Sequence, residues 1–211
     1  MNDFSISMAL ADYIPVILFA AAAVILIRDM YNKMSKGAFA LFAAGTIDVI
    51  AAGFLKASYK LLYAAGICDF EALSDIFFPM QSLGFLLAGI GVLALVCHKQ
   101  TASVAAVAAP PAFSGTFVFV GLMVAGLALM DIGLSIMSAK MKKPAVIILF
   151  VISFICSLGM GYLSSRDFTK ASMNWIAEGV NIAGQGTLLI GAIILHKSGF
   201  ADLRLRDGEV A

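Results

Sequence analysis

Long runs of apolar residues alternate with short polar segments along the whole 211-residue chain. Roughly 20 apolar residues are enough for an α-helix to cross the hydrocarbon core of a bilayer. Six runs reach that length, and we number them spans 1 to 6: about 10–30, 38–60, 78–98, 114–138, 144–164 and 174–196. The pattern predicts an all-α integral membrane protein with six transmembrane helices.

The segments between the spans are too short to fold into a soluble catalytic or signalling domain. The longest of them joins spans 3 and 4 and contains Pro110–Pro111 beside a short apolar run. Both features argue against a seventh span there. No Lys or Arg precedes span 1, which argues against a cleaved signal peptide. We therefore expect a single multi-pass domain over residues 1–211, placed in the plasma membrane.

Composition supports the membrane class and excludes several partners. The chain is 62% hydrophobic and 13% charged, whereas a soluble domain carries about 25% charged residues. The net charge of +1 does not suggest nucleic acid as a partner. Its three cysteines are widely spaced and form no metal-binding pattern. The expected partner is the lipid bilayer, and no metal or cofactor is expected.

A weak internal repeat divides the chain into residues 1–105 and 106–211. Segments 69–99 and 167–197 align without a gap, and both begin with Asp-Phe and end with His-Lys. Each half then holds three spans. Because three is an odd number, the second half would have the opposite orientation in the membrane if the chain does not cross it between the halves. The prediction is a 3+3 inverted-topology repeat, an arrangement that is frequent in transporters.

The charges in the loops do not orient this arrangement. With six alternating spans, the 14 Lys and Arg residues divide eight to six between the two sides. The positive-inside rule needs a clear excess. The charged C-terminal tail favours both termini inside.

Polar side chains are concentrated on three of the spans. Glu178, Asn181 and Gln185 share one face of span 6, and Asp48 lies in the middle of span 2. A charged residue deep in a membrane helix costs at least about 2.5–3.5 kcal/mol, which makes it a candidate site residue. We predict a polar cavity lined by spans 2, 4 and 6, with spans 1 and 5 at the periphery. The candidate ligand- or ion-binding residues are Asp48, Lys56, Gln81, Asp131, Glu178, Asn181 and Gln185.

Structural roles remain open for these residues. Amide side chains often only cross-link helices, and Lys56 can extend to the headgroups. A salt bridge between Lys56 and Asp131 would explain both residues without a ligand. Asp48 is hardest to explain structurally, and we expect it to be protonated or to hold an ion unless a neighbouring helix supplies a cation.

Small residues also recur on span 6, at every fourth position from Gly179 through Ala183 and Thr187 to Gly191. Such a ridge allows close helix approach. It predicts a central position for span 6, packed against a neighbouring helix or, in a homodimer, against a second subunit.

The leading functional interpretation is a small carrier or channel for a small polar solute or cation. The first alternative is a six-span ligand-binding or sensing subunit that works with a partner membrane protein. The second is a membrane-embedded lipid-modifying enzyme. Hydrolase and metalloprotease motifs such as GxSxG and HExxH are missing from the sequence, so catalytic residues are not predicted.

Overall fold

The computed structural model describes residues 5–97, 116–163 and 171–203. Its helices confirm the six spans, each of which is long and apolar enough to cross a membrane. The helices are Ile6–Ala11 and Tyr13–Met30 (span 1), Lys36–Ala64 (span 2), Phe77–Cys97 after the one-turn helix Ala72–Asp75 (span 3), Thr116–Lys140 (span 4), Pro144–Leu163 (span 5) and Ala171–Lys197 (span 6). A short 3₁₀ helix, Phe200–Asp202, follows span 6.

The ends of several spans are set by local chemistry. The hydroxyls of Ser5 and Ser35 accept hydrogen bonds of 3.2 Å from the backbone N–H three residues later, which caps spans 1 and 2. Pro144 is the first helical residue of span 5, a position where its missing N–H is not needed. Gly199 follows span 6 with φ of 84°, a backbone conformation that favours glycine.

The six spans form a closed ring in chain order. Each span packs against the next one along the chain, and span 6 packs against span 1. Large apolar side chains such as Ile47, Phe117 and Ile148 point away from the ring and are exposed. An outer surface of this kind suits lipid, so the chain is an integral, multi-pass membrane protein.

Spans 3 and 4 run in the same direction. Gly126 packs against the backbone of Phe85, and seven residues later Gly133 packs against Val92. Because the residue numbers increase together along the contact, the two helices are parallel. Cys97 and Thr116 therefore lie at opposite ends of the bundle.

Spans 6 and 1 are parallel as well. Near their C-terminal ends, Nδ1 of His196 lies 2.8 Å from Oδ1 of Asp29. Near their N-terminal ends, the Glu178 carboxyl group is within hydrogen-bonding reach of the Asp12 carboxyl group. Spans 1–3 and spans 4–6 thus share the sequence of directions up, down, up.

The predicted inversion of the second half is therefore wrong. The two halves share one order of helix directions, whereas an inverted repeat requires opposite orders. The prediction failed because it assumed that the chain stays on one side of the membrane between spans 3 and 4. Residues 98–115, where a seventh span was not expected, lie outside the described residues.

The apolar core fills one end of the ring. Met30, Leu95, Met137, Leu195 and Phe200 are buried there, with at most 1% of each residue exposed. We call this the packed end. It contains the C-terminal ends of spans 1, 3, 4 and 6, and the opposite end is the cavity end.

Lys33 holds the end of the described chain against this packed end. Its ammonium group donates hydrogen bonds to the carbonyl oxygens of Ala201, at 2.7 Å, and Leu203, at 2.8 Å. Burial lowers the pKa of Lys33, and the nearby carboxylates of Asp202 and Asp29 partly oppose that shift. The contact fixes the chain after span 6 beside the loop between spans 1 and 2.

The small-residue ridge of span 6 is only partly used in packing within the chain. A side chain at Gly179 would meet nothing within 4 Å, and Ala183 is exposed. Gly191 alone of the ridge glycines packs closely, against the ring of Phe150 on span 5. The predicted contact with a neighbouring helix therefore holds at one end of the ridge.

Candidate ligand cavity

A cavity of about 560 Å³ opens into the bundle at the cavity end, and residues of all six spans line it. Its floor is apolar and includes Phe19, Phe85, Met123 and Leu127. The rings of Phe19 and Phe85 meet edge to face, with 5.5 Å between their centroids. The volume lies within the range of roughly 300–1,000 Å³ that is typical of small-molecule sites.

Span 6 supplies the longest polar wall of the cavity. Asn174, Glu178, Asn181 and Gln185 all line it. Their spacings of four, three and four residues place them on one face of the helix. The polar stripe predicted from the sequence is therefore a cavity wall.

An ion pair joins spans 1 and 2 at the edge of the cavity. Nζ of Lys60 lies 2.5 Å from Oδ2 of Asp12, and the two side chains are only 10% and 6% exposed. The Glu178 carboxyl group lies beside Asp12 and interacts electrostatically with Lys60. The pair compensates two charges that would otherwise be buried alone.

Lys56 brings a second cation into the cavity one helical turn from Lys60. Its Nζ lies 3.8 Å from the centroid of the Phe77 ring on span 3, a cation–π contact. Among the residues that the structure describes, no carboxylate oxygen comes within 4 Å of this ammonium group. Lys56 therefore carries a positive charge that an aromatic ring, rather than an acid, holds in place.

Residues between spans 2 and 3 form part of the cavity mouth. The hydroxyl of Tyr59 donates a 3.2 Å hydrogen bond to Oδ1 of Asp69. Glu71, Ser74 and Asp75 also line the opening. The mouth is therefore polar, in contrast to the floor.

Three buried acceptor atoms on lining residues have no hydrogen-bond partner among the described residues. They are Oδ1 of Asp12, Oε2 of Glu178 and Oε1 of Gln185. A buried polar atom without a partner costs about 1–3 kcal/mol. These oxygens are available to donors from water or from a ligand.

The cavity brings together five of the seven residues that the sequence singled out: Lys56, Gln81, Glu178, Asn181 and Gln185. The predicted division among the helices was wrong in three places. Span 5, which was expected at the periphery, lines the cavity with Ser157 and Met160. Span 1 lines the cavity with Asp12, Pro15, Val16 and Phe19, and is not peripheral. Span 4 contributes only the apolar Met123 and Leu127.

Asp131 lies outside this cavity. It is buried between spans 4 and 5 beside Ser153, and neither of its carboxyl oxygens has a hydrogen-bond partner among the described residues. It lines a separate space of about 100 Å³. The salt bridge considered between Asp131 and Lys56 is not formed.

Asp48 also does not line the cavity, although it lies in the middle of span 2 and is half-buried. Helix geometry explains its position. Val49, Gly53 and Lys56 are lining residues on the inner face, and Asp48 is turned away from that face. A functional role for Asp48 stays a prediction.

Sequence reasoning missed the contribution of span 1 and the partner of Lys60. Asp12 interrupts the apolar run "MALADYIPVI", and this interruption was the available signal. Asp12 lies near the predicted start of span 1 and was not singled out, whereas it is 7% exposed and paired with Lys60. The partner could not be identified from the sequence because it lies on another helix.

The chemistry of the cavity is that of binding with charged and polar groups. No cluster of three or more His, Cys, Asp or Glu residues that could hold a metal ion occurs within residues 5–97, 116–163 and 171–203. The chain matches no protein-family model, no curated protein and no solved structure.

Proposed function

We propose that the protein is a carrier for a small polar solute. The observation that supports this function best is the cavity itself, which lies between the two halves of a six-span ring and opens at one end. Beyond its floor the ring is filled by the apolar side chains of the packed end. A channel would need a continuous path, so this geometry favours a carrier over a channel.

The arrangement of the two halves supports the same proposal. Parallel repeats with a site between them are one of the plans on which transporters are built. This support is by analogy, because a fold does not by itself fix a function. Rocking of spans 1–3 against spans 4–6 at the interfaces between spans 3 and 4 and between spans 6 and 1 would open the packed end and close the mouth.

The charged residues at the two ends of the bundle suggest how the carrier is oriented. Of the described Lys and Arg residues, seven lie at the packed end: Arg28, Lys33, Lys36, Lys140, Lys142, Lys143 and Lys197. The other two, Lys56 and Lys60, line the cavity. By the positive-inside rule, the packed end faces the cytoplasm and the cavity opens to the opposite side.

Solute flux into vesicles that contain only this chain tests the proposal. The probes are labelled leucine as a zwitterion, glucose as a neutral solute and rubidium as a cation. We expect saturable flux of at least one probe, and loss of that flux when Asn181→Trp fills the cavity. Ala183→Trp is the matched control, because Ala183 is exposed on the same helix, and it should leave flux unchanged.

Each other result has a defined meaning. Binding of a probe without flux would reject the carrier and favour the ligand-binding subunit that needs a partner. Equal flux through the Asn181→Trp and Ala183→Trp variants would show that the cavity is not the route. Flux of none of the probes, with no binding, would also reject the proposal for these solute classes.

A further inference from the structure

We propose that the cavity takes a small zwitterion, a solute with one ammonium group and one carboxylate group on an apolar frame. The ammonium group would face Glu178 and Asp12, the carboxylate would face Lys56, and the apolar part would lie on the Phe19–Phe85 floor. This inference rests on the proposed function in one respect, namely that the cavity is the solute site.

The ammonium position follows from two unpaired acceptors. Oδ1 of Asp12 and Oε2 of Glu178 are buried without hydrogen-bond partners among the described residues, and their carboxyl groups adjoin each other. The two carboxyl groups lie within hydrogen-bonding reach of each other, and these two oxygens remain without a donor in the described part of the chain. An ammonium group supplies three N–H donors and a positive charge, so it satisfies both oxygens at once.

The carboxylate position follows from the contrast between two lysines. Lys60 is paired with Asp12 at 2.5 Å, whereas Lys56 packs on the Phe77 ring and has no carboxylate oxygen within 4 Å among the described residues. Lys56 interacts electrostatically with Glu178 but does not form an ion pair with it. Lys56 and Glu178 are thus two opposite charges separated by a gap that a ligand can bridge.

Charge balance selects a zwitterion over a simple ion. Glu71 and Asp75 lie at the mouth, and the other four charged side chains of the cavity, Asp12, Glu178, Lys56 and Lys60, sum to zero when all are ionised. A lone cation or anion would leave a net charge inside a bundle that is surrounded by lipid, where uncompensated charge is costly. A zwitterion places an opposite charge beside Glu178 and beside Lys56 and adds no net charge to these four groups.

The floor determines the rest of the ligand. Phe19, Phe85, Met123 and Leu127 present apolar and aromatic surface below the charged groups. A ligand with a hydrocarbon side chain buries that surface, and transfer of apolar area from water is favourable by about 25 cal/mol per Å². The structure therefore favours an amino acid with an apolar side chain over a small polar one.

Binding to the purified full-length chain in detergent, measured by calorimetry, tests the inference with matched probes. The probes are phenylalanine, phenethylamine, which lacks the carboxylate, and 3-phenylpropanoate, which lacks the ammonium group. We expect phenylalanine to bind at least about tenfold more tightly than either of the other two. Lys56→Met should reduce phenylalanine to the affinity of the amine, and Glu178→Gln should reduce it to that of the acid.

The matched control is Lys36→Met, because Lys36 is exposed at the packed end of the same span. It should leave the affinity for phenylalanine unchanged. Phenethylamine or 3-phenylpropanoate binding as tightly as phenylalanine would overturn the inference, and so would failure of all three probes to bind the wild-type chain. The wild-type comparison decides the question even if a variant does not fold.

Failure of this inference is distinguishable from failure of the carrier. Flux of glucose or rubidium without any binding of phenylalanine would overturn the zwitterion and leave the carrier in place. Tight phenylalanine binding without flux would overturn the carrier and leave the ligand class in place.

Discussion

Asp12 and Lys60 show how a charged residue is tolerated inside this bundle. Both are more than nine-tenths buried, and each compensates the charge of the other across the contact between spans 1 and 2. Removing one partner of a buried pair leaves an uncompensated charge, whereas removing both leaves none. This difference makes the pair testable by a double-mutant cycle.

Asp12→Asn alone should destabilise the protein by about 3–5 kcal/mol, because it removes the carboxylate that forms the buried ion pair with Lys60. The double variant Asp12→Asn with Lys60→Met should recover most of that loss. Thermal unfolding in detergent measures both effects. If the single and double variants are equally unstable, the ion pair contributes nothing and Asp12 acts through packing alone.

Asp131 is another buried acid, and unlike Asp12 and Asp29 it forms no ion pair within the described residues. Asp131→Asn should raise the stability by about 1–3 kcal/mol, because the neutral amide replaces a buried carboxylate that has no cationic partner among the described residues. Thermal unfolding and solute flux should be measured together. Loss of flux without any gain in stability would contradict this structural assignment and indicate an ion or proton site instead.

At the scale of the helices, glycines set how closely spans 3 and 4 approach. A Cβ on Gly126 would overlap the backbone at Phe85, and one on Gly89 would overlap the backbone at Gly126. Contacts of this kind between small residues are what hold membrane helices together, because lipid supplies no hydrophobic driving force between them. The interface between the two halves therefore depends on single backbone positions.

Gly126→Ala should destabilise the bundle by about 1–3 kcal/mol, because one methyl group must push spans 3 and 4 apart. Gly121→Ala is the matched control on the same helix, since a side chain there meets nothing within 4 Å. The control should be neutral or more stable by roughly 0.5–1 kcal/mol. Equal effects of the two substitutions on thermal unfolding would show that the close approach of the spans contributes little.

At the scale of the whole molecule, the parallel arrangement determines which loops share a side of the membrane. The chain returns from the packed end to the cavity end between Cys97 and Thr116. The two termini of the described bundle then lie on opposite sides of the membrane.

Labelling of single cysteines in intact cells with a membrane-impermeant maleimide tests this topology. Asn32→Cys and Lys143→Cys should be protected together, because both positions lie at the packed end. Cys68, which is exposed at the cavity end, should be labelled. The three variants share a background in which the other native cysteines are replaced by serine.

Labelling of only one of positions 32 and 143 would place them on opposite sides of the membrane and support the inverted repeat. That outcome would also remove the basis for placing the cavity on the non-cytoplasmic side. Protection of Cys68 with labelling of both other positions would keep the parallel repeat but reverse its orientation.

Features that depend on neighbouring residues along the chain could be predicted from the order of residues alone. Span length and apolar content identified six membrane helices, because crossing lipid requires a long apolar helix whatever its neighbours are. The periodicity of one helix placed Glu178, Asn181 and Gln185 on a single face, and that face lines the cavity. Both features are local, so the order of residues was sufficient.

Features that depend on which helices meet could be recognised only in the folded bundle. The direction of spans 4–6 follows from helix packing, and no residue pattern encodes it. Asp12 and Lys60 pair across two helices, Asp131 turns towards span 5, and Asp48 turns away from the cavity. A charged residue within a span carries a free-energy cost wherever it lies. A side chain or a cavity from another part of the chain compensates that cost.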